Sequence, residues 1–166
     1  MKYQKILEDD EYKQYLKQLQ NLEQNRIYCK HDLNHFLDVA RICTITAYDH
    51  GISVDKDIVY AAGLLHDIGR CNPKVSSHEE HSAKIANEIL PKCGYTKDEV
   101  SQIIEIILSH RGRDVLNNIK KLDKSDNLDI VDCFKIADQL SRNCFCCDAT
   151  ITCKWKDEEK LESIIL

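Results

Sequence analysis

Two prolines and five glycines in 166 residues leave little to interrupt a regular backbone, so the stretches between them are long enough for helices. No apolar run approaches the roughly 20 residues that a membrane-spanning helix needs. There is no basic excess: the net charge is −5, which argues against a broad nucleic-acid surface, because that would need a basic stripe. A local basic pocket for a small anion is not excluded by this balance. No glycine-rich phosphate loop, internal repeat, low-complexity tract or interdomain linker is present. The first residues, MKYQKILEDDEYK, are too charged for a signal peptide. With no export signal, the nine cysteines are expected as thiols in a reducing compartment, and the cytoplasm is the expected location.

What is present is helical periodicity. Apolar residues make up 43% and charged residues 31%, a balance able to bury one core. Helices are expected near 3–24, 31–50, 55–68, 77–90, 96–110 and 126–143, with a short one near 156–164. Val100, Ile103, Ile104 and Ile107 follow the i, i+3, i+4, i+7 spacing of a face turned to a core. Ser77 followed by Glu80 reads as a capping box, and Gly51 and Gly69 stand where left-handed helix stops are expected. No stretch alternates convincingly as a strand. The fold class is therefore all-α, a single compact helical bundle. Its parts are an N-terminal helix over 1–24, a main domain over 25–145 and a cysteine-containing tail over 146–166. The polar segment 111–126, RGRDVLNNIKKLDKSD, reads as an excursion between two long helices.

Several imidazoles and carboxylates fall on the apolar faces of these helices. His35 shares a face with Val39 and Ile42. His110 continues the stripe of Ile103 and Ile107, and Asp138 follows Val131 and Phe134. His66 and Asp67 close the leucine-rich stretch AAGLLHDIGR; neighbouring helical side chains diverge by about 100°, so the pair can grip an ion between them. Singly, each is ordinarily a satisfied core polar group. Together they are costly to bury unless something neutralises them, and a divalent metal does so: this donor set suits Mn, Fe, Co, Ni, Zn or Mg.

The ordered set His35, His66-Asp67, Asp138, in the contexts HFLDVARI, AAGLLHDIGR and KIADQLSR, resembles the H…HD…D signature of HD-domain metal-dependent phosphohydrolases. HEEHSAKIANEIL and IILSHR resemble the further histidine segments of members with two metals. The resemblance spans roughly residues 25–145. It implies a metal site between helices, with one or two divalent ions on His35, His66, Asp67 and Asp138, joined by His78 and His110. His81 is the rival of His78, and His31 is placed in the shell around the ligands. Asp38 stands where the family often has arginine, and Arg70 where it usually has lysine.

The implied chemistry is cleavage of a phosphoester or phosphoanhydride of a nucleotide or small phosphorylated metabolite by a metal-activated water. Asp67 would bridge two ions, and Arg142, Arg70 and Arg111, each close after an expected ligand, would neutralise phosphate. Arg142 is first choice, one turn from Asp138. Glu79 or Glu80 could protonate the leaving group. The expected partner is a phosphorylated small molecule, a nucleotide first, with neither extended nucleic acid nor membrane expected as a partner. A di-iron oxygenase and a non-catalytic nucleotide- or metal-binding protein are the competing readings. In the tail, Cys144, Cys147 and Cys153 are spaced as a candidate structural zinc or iron–sulfur site; Cys71 could supply a distant fourth thiol. The alternative is that they are reduced thiols, with Trp155 docking the tail.

Overall fold

Helix starts in this chain are set by short polar side chains that accept otherwise unpaired N–H groups. In a computed structural model, which describes residues 1–111 and 127–164, Asp9 accepts from Tyr12 N, Asp32 from His35 N, Asp55 from Asp57 N and Ser77 from Glu80 N. Thr96 with Glu99, and Asp129 with Asp132, form reciprocal capping boxes. The helices so begun are α2 (Asp10–Leu22), α3 (Leu33–Asp49), α4 (Lys56–Leu65), α5 (His78–Ile89), α6 (Lys97–Ser109) and α7 (Ile130–Leu140), preceded by α1 (Lys2–Glu8). Among the described residues there is no strand, and the architecture is all-α as expected.

Helix α3 lies in the middle, against α4 on one side and α7 on the other, while α5 packs on α6 and on a 3₁₀ turn, Ile68–Cys71. Helix α2 covers that turn. Phe36, Leu64, Leu65, Ile103 and Phe134 are fully buried between these layers. The N-terminal helices share the same core: Ile6, Tyr12 and Leu19 are buried with it, and Tyr12 Oη donates to Leu64 O at 3.2 Å.

Three local expectations are corrected. The single helix over 3–24 is broken at Asp9, whose extended backbone (φ −66°, ψ 129°) lets its carboxylate cap α2. The expected helix near 156–164 is only a 3₁₀ turn, Asp157–Glu159. Gly69 is no left-handed stop; among the described residues only Gly51 (69°) and Gly94 (89°) have a positive φ. Its role is close approach. A Cβ there would run into His78 O, and lie 2.5 Å from Ser82 N, while Gly69 N itself donates to Ser82 Oγ at 2.8 Å. The absence of a side chain thus seats the turn on the start of α5. Most of the expected excursion, residues 112–126, lies outside the described residues. No helix among the described residues is long and apolar enough to cross a membrane.

Candidate metal centre

The end of α4 explains why two polar residues stand in a buried stretch. His66 follows the last helical residue, and its Nδ1 donates to Gly63 O at 2.8 Å, one turn back. Asp67 then leaves the helical conformation (φ −110°, ψ 3°). The chain changes direction between them, so both side chains enter one interior space from adjacent positions. His66 is fully buried and Asp67 is 2% exposed.

Four imidazoles are turned the same way, as their partners dictate. His66 Nδ1 is committed to Gly63 O, and His110 Nδ1 to Ile107 O at 2.5 Å. Ser141 Oγ donates to Asp138 O at 2.8 Å, so it accepts from His35 Nδ1 at 3.2 Å. His78 Nδ1 faces Glu79 Oε2 at 3.3 Å. With the proton on Nδ1, each ring offers the Nε2 lone pair. This is the orientation that backbone carbonyls and carboxylates impose on metal-binding histidines. His35 Nε2 and His66 Nε2 are buried without any hydrogen-bond partner, a costly state that an ion would relieve.

The ligand atoms form two trios, His35/His66/Asp138 and Asp67/His78/His110, each with its atoms within 4.8 Å of one another. Asp67 faces both. Its Oδ2 lies 3.7 Å from His66 Nε2 and 4.0 Å from His35 Nε2. Its Oδ1 lies 2.9 Å from His78 Nε2 and 3.6 Å from His110 Nε2. One carboxylate with an oxygen toward each trio has the disposition of a bridging ligand. The six residues expected as ligands are thus the ones brought together, and the donor set fits one or two divalent cations.

Electrostatics follow from burial and crowding. Burial alone would raise the Asp67 carboxyl, but the neighbouring His66, His110 and His78 outweigh it and hold it well below the usual carboxylate range. Asp138 is treated likewise: burial opposes, and the His66 and His35 rings bring it down to about 2. Burial, with the His66 charge next, lowers His35 to about 4. For His110, burial is overcome by Asp67 and the ring is raised.

The surrounding residues fall out unevenly. Arg70 Nε lies 2.8 Å from Asp67 Oδ1, and its Nη2 donates to His78 Nε2 at 2.9 Å. Arg111 pairs with Glu79 at 2.8 Å and is otherwise exposed. Glu79 is buried; burial would raise it, yet its backbone hydrogen bond, Ser77 and His78 hold it below its usual range, so it orients His78 as an anion. Glu80 is exposed. His81 Nδ1 bonds Gly69 O at 2.9 Å and belongs to neither trio. Arg142 is 7% exposed. Its Nε donates to Gln139 O at 2.9 Å and its Nη2 to Glu159 O at 3.1 Å, so the two-pronged phosphate grip expected of it is already spent on backbone carbonyls.

All nine cysteines are free, and neither ligand trio contains one. Cys144, Cys147 and Cys153 line a cavity of about 390 Å³ with Cys29 and Cys146. Cys29, from the far side of the chain, is the thiol the fold adds there. Cys71 lies elsewhere, at the end of the Ile68–Cys71 turn.

Glu23 was not legible as part of the site. Its Oε1 lies 2.7 Å from His31 Nδ1, and its Oε2 accepts from His31 N at 2.7 Å. His31, which precedes α3 rather than riding on it, points Nε2 at Asp67 Oδ2 from 3.3 Å. No spacing signal links Glu23, at the end of α2, to this position. The metal-side cavity, about 240 Å³, is lined by both carboxylates and by Arg26, Arg70, Arg142 and Trp155.

Comparison with known proteins adds the following. The family profile described as HD domain matches residues 32–143. An uncharacterized protein of Clostridium beijerinckii is 38% identical over 157 residues, covering 93% of this chain and 92% of that one. Ribonuclease Y of Thermosipho melanesiensis is 34% identical over 101 residues, 60% of this chain and 18% of that enzyme. Ribonuclease Y of Pseudothermotoga lettingae is 32% identical over 99 residues, with 58% and 18% covered. The match thus spans less than one-fifth of each ribonuclease. No solved structure matches the chain significantly.

Proposed function

This chain belongs to the HD domain family, and from that premise we propose that it is a metal-dependent phosphohydrolase. Its reaction is cleavage of a phosphoester or phosphoanhydride bond in a nucleotide or small phosphorylated metabolite. The observation that carries this reading is Asp67, one oxygen of which faces His35 and His66 and the other His78 and His110.

His35, His66 and Asp138 would hold one divalent ion, and His78 and His110 a second, with Asp67 between them; Mn, Fe, Co, Ni, Zn and Mg all suit such donors. Bound there, the metal supplies a water of lowered pKa and neutralises phosphoryl oxygens. The chain's own residues do the rest. Gly63 O, Ile107 O, Ser141 Oγ and Glu79 fix the ring orientations. Arg70 and Arg111 stand at the rim as charges for the phosphate, where preorganised cations favour the charge that develops in transfer. Nine free thiols accord with action in a reducing compartment such as the cytoplasm.

The test is metal analysis of anaerobically purified protein, followed by a phosphatase screen with Mn, Co, Ni and Mg on nucleotides and sugar phosphates. Phosphate release that depends on added metal is the expected result. Oxygen-dependent turnover on redox-active iron would overturn the reading in favour of an oxygenase. Tight ligand binding with no turnover for any substrate would overturn it in favour of a sensor.

A further inference from the structure

We infer that Cys29, Cys144, Cys147 and Cys153 make a second metal centre: four thiolates for a thiophilic metal, a zinc ion or an iron–sulfur cluster, that staple the C-terminal tail to the segment ahead of α3. It is separate from the histidine and aspartate trios and does not rest on the phosphohydrolase reading.

The backbone itself spaces the three tail cysteines. Cys147 N donates to Cys144 O at 3.3 Å, Thr150 N to Cys147 O at 3.2 Å and Cys153 N to Thr150 O at 3.4 Å. Turns of three residues bring positions i and i+3 to one side, and Cys144, Cys147, Thr150 and Cys153 all border the cavity of about 390 Å³. Thr150 Oγ1 donates to Cys147 O at 2.6 Å and lies 3.2 Å from Cys144 O, which ties the middle of the loop to its start. Cys29 meets this loop from the other end of the domain. Its neighbour Tyr28 donates from Oη to Thr152 O, beside Cys153, at 3.1 Å, and Arg26 Nε donates to Cys29 O at 2.7 Å. Burial raises the Cys29 thiol, and Cys144 and Cys153 stand close enough to raise it further, against the Arg142 charge. Cys146 also borders the cavity, but it is exposed and its Sγ donates to Asn143 O at 3.6 Å. Four thiols remain, the number that a closed zinc site or an iron–sulfur cluster takes.

The tail needs such a cross-link. Among residues 143–164 only Leu161 is buried, and Ile151 is 95% exposed. Ordering a segment costs roughly 1–2 kcal/mol per residue in backbone entropy alone, and segments that bury so little apolar surface hold their shape with metals or disulfides. The cavity is also bordered by two cations, Arg142 and Lys160, and Lys160 Nζ donates to Thr150 O at 2.8 Å. Cations favour the thiolate, the form that ligates metal. A divalent ion on four thiolates carries net negative charge, which Arg142 and Lys160 offset. Each cysteine gives up its S–H proton to solvent as its metal–sulfur bond forms.

The test reads metal rather than turnover, on the whole chain purified anaerobically. Zinc, iron and acid-labile sulfide are counted per chain in wild type, His66→Ala, Cys29→Ser, Cys147→Ser and, as control, Cys146→Ser. The expected result is bound zinc or iron that survives His66→Ala and Cys146→Ser but is lost from Cys29→Ser and Cys147→Ser, with a lower melting temperature on its loss. Zinc without sulfide identifies a single ion; iron with matching sulfide and visible absorption identifies a cluster. The trios' own stoichiometry is what remains once this metal is subtracted. Where the serine variants do not fold, a mercurial added to folded wild type gives the same answer, since it should release this metal and leave that of the trios. Zinc and iron absent from His66→Ala, serine variants that keep their full metal, no release by the mercurial, or a disulfide between any two of the four cysteines in the anaerobic protein overturns the centre.

Discussion

Arg70 spans Asp67 and His78: its Nε stands 2.8 Å from Asp67 Oδ1 and its Nη2 2.9 Å from His78 Nε2. A permanent cation thereby covers two of the three residues of the second trio. A second ion on this trio would have to displace it. Arg70→Ala is expected to tighten binding of the second ion by about tenfold while lowering turnover, because a phosphate charge is lost with the competitor. Calorimetric metal titration of wild type and variant, with kinetics alongside, checks this. Equal second-ion affinities would show that the guanidinium does not compete.

His66→Ala or Asp67→Ala should strip most bound metal and abolish turnover with helical content retained. Asp67 is the stronger case, since it faces both trios. Metal analysis and far-ultraviolet circular dichroism on the same samples separate loss of ligand from loss of fold. Wild-type metal content in both variants would place the centre elsewhere.

Acid should destabilise the metal-free protein in a defined window. His35 is lowered from 6.5 to about 4, by burial first and by the His66 charge. Below pH 6.5 the unfolded chain takes up a proton that the folded chain refuses until about 4. Stability is therefore full above that window and falls as pH drops through it, by up to about 3 kcal/mol. His110, raised by Asp67 against its burial, acts oppositely: its contribution is present below the unfolded value and lost as pH rises past the folded one. Denaturant melts across pH should show the acid loss, and His35→Asn should flatten it. A slope unchanged in that variant would assign the loss to other groups.

Arg142→Ala removes the partner of two backbone carbonyls and of the Trp155 ring. A loss of about 2 kcal/mol in unfolding free energy is expected, with metal content unaffected. Arg142→Lys should restore little, as an ammonium cannot bond both carbonyls and face the ring at once. Thermal melts in which all three proteins coincide would contradict this anchoring role.

Gly69→Ala puts a methyl against His78 O and Ser82 N. Overpacking of this kind costs about 1–3 kcal/mol, and it pushes on the residue that carries His78. The second ion should weaken more than the first. Metal stoichiometry falling toward one per chain is the expected readout; undiminished loading of both sites would mean that the turn yields without moving His78.

The candidate ligands were legible partly from helix faces and partly from the resemblance, which alone drew in His78. His35, His110 and Asp138 share faces with apolar neighbours, and the His66-Asp67 pair ends an apolar helix. Of the helix starts, the cap at Ser77 was open to reading, whereas Asp129 was not, and its helix begins four residues later than expected. Asp9 misled because an aspartate between two polar stretches can ride a helix or start one, and only packing decides. Glu23 on His31 and Glu159 on Arg142 depend on how loops fold back, over eight and seventeen residues. No periodic pattern encodes such a return. Gly69 was readable as a special position but for the wrong reason: left-handed backbone and close approach both call for glycine.

Gly63 lies where α3 and α4 cross: a Cβ there would sit 2.9 Å from both Ala40 Cβ and Phe36 O. Phe36 is the neighbour of His35, and Gly63 O holds the ring of His66. One bare α-carbon therefore gauges the gap between two candidate ligands carried by α3 and by the end of α4. If the first trio holds an ion, its tolerance for ionic radius would be set in the seam behind it, among atoms that do not touch the ion. Widening that seam by one methyl group would retune which cation fits, while every ligand stayed chemically the same.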